Sequence, residues 1–201
     1  MGRLANSFVL GYHGCDASVA KRAVTEGVAL LHSDNPYDWL GPGAYFWESD
    51  PLRAWEFATE KVRRGRILTP AVVGAVIDMG TCLDLTNRAD LDLLPIAFES
   101  MARLMEEAGL PMPANKNVSS DRHEDFLLRF RDCAVFRHLH RVIQEAGLEP
   151  FDTVRGIFQE GGSAFPGAGI SAKTHTQITV RNNDCIKGLF LPLKAGTLQF
   201  S

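Results

Sequence analysis

The chain lacks several features that would place it in a familiar class at once. Its four cysteines are widely separated, so they form neither metal-knuckle pairs nor a dense disulfide framework. No apolar run approaches the roughly 20 residues that a membrane-spanning helix needs. No GxGxxG or GxxxxGK(S/T) segment is present, which removes the usual Rossmann and P-loop signals. The sequence therefore predicts free thiols, no membrane span and no metal site.

An excess of charge and a leader sequence are also missing. The 21 basic and 24 acidic residues leave a formal net charge of -3, which does not indicate a nucleic-acid binder. The first residues, MGRLANSFVLGYHG, lack a secretory signal, so we expect a cytoplasmic protein, and export without a signal peptide would leave no mark here. The length of 201 residues and the apolar fraction of 45% suit a single globular domain over 1–201.

What the sequence does contain is a set of strand-like and helix-like segments. Apolar and β-branched runs predict strands at 8–13, 44–47, 71–79, 153–159, 176–181 and 186–191, with 83–85 as an extension. Asp16 or Ser18 can cap a helix, and Asp50-Pro51 starts another, which buries Trp55 and Ala58. Helical periodicity covers 87–108 and 122–146. Strands at both ends with helices between them predict an α+β fold, not a doubly wound one.

Three segments have an unusual local composition. Gly11-Tyr12-His13-Gly14 ends the first strand. Gly41-Pro42-Gly43-Ala44-Tyr45-Phe46 is a glycine turn that enters the next strand, and Thr176-Gln177-Ile178-Thr179-Val180 is a late strand with a polar residue among apolar ones. Taken singly, each has an ordinary explanation: a tight turn, a core tyrosine or a solvated glutamine.

In this order and spacing, the three segments resemble the ADP-ribosyltransferase superfamily, in the branch of diphtheria toxin and the poly(ADP-ribose) polymerases. That branch carries a His-Gly pair on its first strand, a Gly-x-Gly-x-Tyr-Phe segment on a later strand and a Glu near the start of a late strand. Here His13-Gly14, the segment 41–46 and Gln177 match. The helix that starts at Asp50-Pro51 fits the helix bordering the nicotinamide pocket. The resemblance leaves about 87–150 as a helical insertion without a counterpart.

The resemblance implies a split β-sheet core and a mono-ADP-ribosyltransferase that uses NAD as its substrate. The backbone of Gly14 would hold the carboxamide, His13 would bond ribose hydroxyls, and Tyr45 would stack on the nicotinamide ring. Gly43 belongs to the matching glycine turn, and Arg53 is a candidate cation for the pyrophosphate, as is Arg22. Cleavage of the nicotinamide–ribose bond passes through an oxocarbenium-like transition state, as in glycoside chemistry.

The sequence departs from the family pattern at two positions. Gln177 stands where the family has Glu, and losing a charge-assisted hydrogen bond costs about 1.5–3 kcal/mol, roughly ten- to a hundredfold in rate. Glu160 is the best replacement carboxylate and a candidate general base for the acceptor, the alternative being a solvated loop-tip side chain. Glu48 points to the face opposite Tyr45. Arg53 replaces a small hydroxyl residue.

Two further features of the pattern remain open in the sequence. Either Trp55 or Phe57 could stand in for the second stacking tyrosine of the family. The run Arg137-His138-Leu139-His140-Arg141 either contacts phosphates or forms a solvated helix face, so the acceptor can be a protein or a nucleic acid.

The sequences of the motif segments also resemble those of bacterial proteins of the same kind. For a bacterial mono-ADP-ribosyltransferase we expect a toxin-like or defence role, and an active toxin would need a neutralising partner protein. The alternatives are a module that binds NAD or ADP-ribose without turnover, an NAD glycohydrolase, and an enzyme that transfers an RNA 2'-phosphate to NAD. No membrane partner is expected.

Overall fold

The computed structural model describes residues 8–118, 123 and 125–192. The strands are β1 (Phe8–Asp16), β2 (Ala44–Glu48), β3 (Pro70–Asp78), β4 (Cys82–Asp84), β5 (Thr153–Phe158), β6 (His175–Val180) and β7 (Ile186–Phe190). The helices are α1 (Ala17–Glu26), α2 (Pro51–Arg63), α3 (Arg88–Leu91), α4 (Leu93–Glu107) and α5 (Phe130–Glu145). A short 3-10 turn at Asn183–Cys185 precedes β7.

In the described part of the chain, the seven strands form one mixed sheet in the order β4-β5-β6-β2-β1-β3-β7. β4 and β5 are parallel, and the helices α3 to α5 lie in the crossover between them. The other neighbouring strands are antiparallel. The predicted α+β class is therefore confirmed.

Local signals explain where the first two helices begin. Asp16 caps α1 by accepting a hydrogen bond from the Ser18 backbone N–H at 2.9 Å. Asp50 caps α2 through the Arg53 N–H at 2.8 Å, with Pro51 at the first helical position. The predicted burial is correct for Ala58, which is fully buried, and wrong for Trp55, which is 41% exposed.

Helix α5 starts at Phe130, later than its periodicity predicts. Phe126 has a φ of 50°, a left-handed conformation that a helix cannot include. Asn115, from the preceding loop, accepts a hydrogen bond from the Arg131 backbone N–H at 2.9 Å and so occupies the helix start. The predicted helical residues 122 and 124 lie outside the described part of the chain.

The sheet has a different helical cover on each face. On one face, α1 contributes Ala23 to a cluster with Phe46, Ile77 and Ile178. On the other face, α4 and α5 form a second cluster, which contains Leu40, Leu83, Met101, Phe136, Leu139 and Val154. Three of the cysteines are buried, Cys82 is half-buried, and all four are free thiols. Among the described residues, no helix has both the length and the apolar character to cross a membrane.

Candidate functional site

The three motif-bearing strands are neighbours in the sheet, with β2 between β1 and β6. Trp47 is the point where they meet, because its register partners are Tyr12 on β1 and Gln177 on β6. Within the described strands, β1 pairs with β2 at Gly11 and Tyr12 only, whereas β1 pairs with β3 along its whole length. The sheet therefore opens between β1 and β2 next to His13.

His13 sits at this opening and bonds across it. Its Nδ1 lies 2.8 Å from the backbone carbonyl oxygen of Tyr45. Because a carbonyl only accepts, Nδ1 carries the proton and Nε2 is left as an acceptor. Burial lowers the pKa of His13, the Tyr45 carbonyl opposes that shift, and Lys61 adds to it. The imidazole is therefore neutral at pH 7, with its ring against Phe46 at 5.8 Å.

Tyr45 uses its hydroxyl to hold the glycine turn. The hydroxyl donates to the Gly41 carbonyl at 2.8 Å and accepts from the Leu40 N–H at 3.0 Å. Burial is the main reason that the pKa of Tyr45 lies far above its ordinary value. The half-buried ring packs beside the cluster formed by α4 and α5. The hydroxyl of Tyr45 is thus used in structural hydrogen bonds, and only the ring is left for contact with a ligand.

The glycines of two motifs are required by close packing. A Cβ atom at Gly14 would overlap the carbonyl oxygen of Ala54 in α2. A Cβ atom at Gly43 would lie 2.5 Å from the Thr179 Cγ2 atom and 2.6 Å from the Val180 carbonyl oxygen. Gly14 thus lets α2 reach the sheet, and Gly43 lets the turn reach β6.

Gln177 is held by two side chains. Its Oε1 accepts a hydrogen bond from the Trp39 indole Nε1 at 2.6 Å, and its Nε2 lies 3.1 Å from the His175 Nε2. The Trp39 ring in turn meets Phe158 edge to face at 5.1 Å. Sequence reasoning missed Trp39 and His175, although Trp39 is two residues before the first glycine of the turn and His175 is two residues from Gln177 on the same strand face.

Glu160 is paired with Arg53 in the interior. The Arg53 Nε donates to the Glu160 Oε1 at 2.9 Å, and Nη2 contacts the same oxygen more closely. Arg53 is 8% exposed and Glu160 is 7% exposed. The solvated loop-tip alternative for Glu160 is therefore wrong: the strand end carries the carboxylate under α2. The guanidinium of Arg53 also lies over the Trp47 ring, 5.6 Å from its centre.

Two hydrogen-bond donors, one on Arg53 itself and one on Trp47 next to it, are unsatisfied. In the described part of the chain, Trp47 Nε1 and Arg53 Nη1 are buried without a hydrogen-bond partner. The Glu56 Oε2 lies 3.9 Å from Nη1, beyond hydrogen-bond distance. Buried unpaired donors are uncommon, so they mark this region as polar and incompletely satisfied. Among the residues described, no group of three or more His, Cys, Asp or Glu side chains is arranged to hold a metal ion.

The predicted site residues divide between the two faces of the sheet. Tyr45 and Gln177 share a face with Trp47, since paired residues point to the same side and alternate residues return to it. His13 follows Tyr12 by one residue and packs against Phe46, which alternates with Tyr45 onto the other face. Within the described residues, no hydrogen bond joins His13 to Gln177.

Two other segments that the sequence singled out serve structural contacts. Glu48 binds Arg155 through two hydrogen bonds, of 2.6 and 3.1 Å, away from Tyr45 as predicted. His138 and His140 are both buried on α5, His138 beside Ser100 and His140 beside Phe151, so neither a solvated face nor a phosphate contact describes these histidines.

An apolar cavity of about 360 Å³ lies next to Gln177, because Trp39, which bonds to Gln177, is also one of the residues that line the cavity. It lies between α4 and α5 and is lined by Trp39, Leu85, Leu94, Phe98, Val135 and Phe136, among others. Its lining lacks His13, Tyr45 and Gln177, so the cavity is separate from the predicted NAD site. No protein-family model, curated protein or solved structure matches this chain.

Proposed function

We propose that this chain is a mono-ADP-ribosyltransferase that cleaves NAD and transfers ADP-ribose to a macromolecular acceptor. The observation that carries the proposal is the meeting of the three resemblance motifs on adjacent strands, although they are far apart in sequence. The opening between β1 and β2 beside His13 further supports a split-sheet core of the ADP-ribosyltransferase type. The helices α3 to α5 would then be the insertion relative to that core.

In this proposal, NAD passes through the opening between β1 and β2, so that it reaches His13 on one face of the sheet and Tyr45 and Gln177 on the other. The neutral His13 offers Nε2 to a ribose hydroxyl, and the backbone of Gly14 holds the carboxamide. The ring of Tyr45 stacks on the nicotinamide. Phe57 is the better candidate for the second stacking ring, because its ring lies 4.9 Å from the Trp47 ring of β2, whereas Trp55 is 41% exposed.

The reaction breaks one bond and forms one. The nicotinamide nitrogen leaves with the electron pair of its bond to the ribose, and an oxocarbenium-like centre develops. The acceptor nucleophile then bonds to that carbon and gives its proton to a base, a role we assign to Glu160. Because Gln177 is uncharged, it stabilises the developing charge only through its dipole, so we expect turnover well below that of an enzyme with Glu at this position.

The second candidate function is a module that binds NAD or ADP-ribose without turnover. Its support is the polar group itself: Gln177 is already bonded to Trp39 and His175, and Glu160 is already paired with Arg53. The negative charge of Glu160 is therefore balanced before a ligand arrives. An NAD glycohydrolase, with water as the acceptor, remains the third candidate.

The test is nicotinamide release from NAD by the purified protein, with and without cell lysate or RNA. We expect Tyr45→Ala to abolish release and Tyr45→Phe to retain a measurable part of it, since the ring stacks and the hydroxyl only holds the turn. Tyr37→Ala is the matched control, because Tyr37 packs on Phe130 of α5. Circular dichroism confirms that each variant is folded.

The pattern of release separates the candidates. Release that needs an added acceptor supports the transferase, and equal release in buffer alone supports the glycohydrolase. NAD binding by calorimetry without any release supports the binding module. Full activity in a folded Tyr45→Ala protein would contradict the assigned site.

A further inference from the structure

The orientation of the Gln177 amide is determined by Trp39. An indole N–H can only donate, so the atom of Gln177 that lies 2.6 Å from the Trp39 Nε1 must be the carbonyl oxygen. The amide nitrogen is then on the other side, 3.1 Å from the His175 Nε2. An exchanged amide would place two donors against each other at Trp39. The amide of Gln177 therefore has one orientation.

The protonation of His175 is determined in the same way. Its Nδ1 lies 2.8 Å from the backbone carbonyl oxygen of Lys173, which can only accept. Nδ1 therefore carries the proton, and Nε2 presents a lone pair to the Gln177 amide nitrogen. The bonds form one directed series, from Trp39 through Gln177 and His175 to the Lys173 carbonyl, in which each donor meets an acceptor.

The surroundings of His175 favour its neutral form. The ring is 7% exposed and stacks on Phe158 at 5.6 Å, with Trp47 at 6.2 Å. Burial lowers the pKa of His175 most strongly, and Arg53 lowers it further. The Lys173 carbonyl, Glu160 and Asp50 raise it in part. The Glu160 Oε1 lies 3.9 Å from Nδ1, but Arg53 already balances its charge.

We propose that Trp39 and His175 are positioning residues that select glutamine over glutamate at position 177 and direct its second amide N–H toward the ligand. Gln177 has two amide N–H bonds and a half-buried side chain, and because His175 takes one N–H, the second is the one left for a ligand. The group that it meets must be a hydrogen-bond acceptor, which under the proposed function is a ribose hydroxyl. That ligand role rests on the proposed function, whereas the fixed amide does not.

A glutamate at position 177 would disturb this arrangement. One carboxylate oxygen can still accept from Trp39, but the other would face the lone pair of the His175 Nε2. The clash is relieved when a proton is bound between the two groups, and a second proton on His175 converts the neutral series into a buried ion pair. Gln177→Glu therefore changes the charge of two groups at once, and its negative charge is balanced within the protein rather than left for the substrate.

The first experiment measures the protonation of the histidine rings in the free protein by 15N-resolved NMR. At neutral pH we expect His175 in the wild type to carry its proton on Nδ1, with a bare Nε2. In Gln177→Glu, we expect the titration midpoint of His175 to rise by about one to three pH units, the effect of a close opposite charge. His32, which is exposed and bonded to Asn183, is the internal reference.

Two variants sharpen the comparison. Gln159→Glu makes the same chemical change at an exposed position directly after β5 and should leave the His175 midpoint in place. Trp39→Phe keeps an aromatic ring against Phe158 but removes the indole N–H, so the Gln177 side-chain amide should lose its single orientation, while the Lys173 carbonyl still holds the proton of His175 on Nδ1. A proton on Nε2 in the wild type would overturn the proposal, and so would a midpoint that moves no further in Gln177→Glu than in Gln159→Glu.

NAD turnover, measured across pH on the same variants, separates this inference from the proposed function. If the NMR results hold and NAD is neither bound nor cleaved, the proposed function fails and the positioning of Gln177 stands. If NAD is cleaved but His175 shows the other tautomer, the positioning fails and the function stands. If both hold, Trp39→Phe should lower the apparent affinity for NAD, because Gln177 then no longer keeps one orientation.

Discussion

His140 is the least satisfied ionisable side chain in the described part of the protein. Both of its ring nitrogens are buried without a hydrogen-bond partner there, and the ring lies between Phe136 and Phe151 at 6.4 and 6.3 Å. Burial lowers its pKa from 6.5 to about 3, and Arg181 adds to the shift. A neutral imidazole in an apolar enclosure loses its hydrogen bonds to water and receives none in return.

We predict that His140→Leu stabilises the protein at pH 7 by about 1–3 kcal/mol, the usual cost of a buried unsatisfied polar group. The measurement is urea denaturation followed by circular dichroism. His138→Leu is the matched control, because His138 on the same helix is equally buried but lies 3.0 Å from the Ser100 hydroxyl. That control should not stabilise the fold, since it leaves Ser100 without its partner.

The same residue predicts a dependence of stability on pH. Above pH 6.5 His140 is neutral in both the folded and the unfolded chain, so it contributes no pH dependence. Below 6.5 the unfolded chain binds a proton that the folded chain refuses until about pH 3, so the wild type loses stability as the pH falls through this window. His140→Leu should lose less between pH 6.5 and 3, and equal losses in the two proteins would contradict this account.

At the scale of elements, α2 is the helix that assembles the site. It brings Arg53 to Glu160 and Phe57 to Trp47, and it reaches β1 because Gly14 has no side chain. The close approach of α2 to β1 therefore depends on Gly14, the glycine that the family resemblance assigns to NAD binding. Packing requires the same residue whether or not NAD binds.

We predict that Gly14→Ala destabilises the protein by about 1–3 kcal/mol, as extra atoms do in a packed interior. The added Cβ would overlap the Ala54 carbonyl oxygen, and the backbone of a helix cannot shift without a loss of free energy of folding. Gly188→Ala on the edge strand β7 is the control, because a Cβ there meets no atom within 4 Å. Thermal denaturation of the two variants provides the comparison, and similar melting temperatures would show that α2 yields easily.

At the scale of the whole molecule, the Arg53–Glu160 pair joins two distant parts of the chain. It connects α2 to the end of β5, 107 positions away, beneath the loop that leads into β6. A buried ion pair is costly to break from one side, because the remaining charge is left in the interior. Two distant parts of the sequence are thus held together at the candidate site itself.

We predict that Arg53→Met or Glu160→Met alone costs about 3–5 kcal/mol, and that the double variant Arg53→Met/Glu160→Met recovers part of this loss. A double-mutant cycle by chemical denaturation measures the coupling. The exposed pair Arg88 and Asp92, 3.9 Å apart on the surface, is the control, with an expected coupling near zero. Strictly additive losses for Arg53 and Glu160 would show that the pair does not hold the fold.

Much of the architecture could be read from local signals. Asp16, Asp50 and Pro51 mark the helix starts because capping depends on residues that are close in sequence. The strands follow from short apolar runs, and their order of appearance indicated the α+β class. Local signals failed where a contact with a distant segment decided the outcome. Asn115 accepts a hydrogen bond at the start of α5, and the packing of α2 leaves Trp55 exposed.

The sequence by itself determined the caps, the strands and the three motif segments, since each depends on neighbours along the chain. Only the tertiary structure decided which atoms surround Gln177 and Glu160. The register of β6 with β2 and the path of the loop before the glycine turn bring Trp39 to Gln177 from 138 positions away. Hydrogen-bond direction and buried charge depend on such long-range contacts, and these contacts make the neutral Gln177 a better fit here than a glutamate.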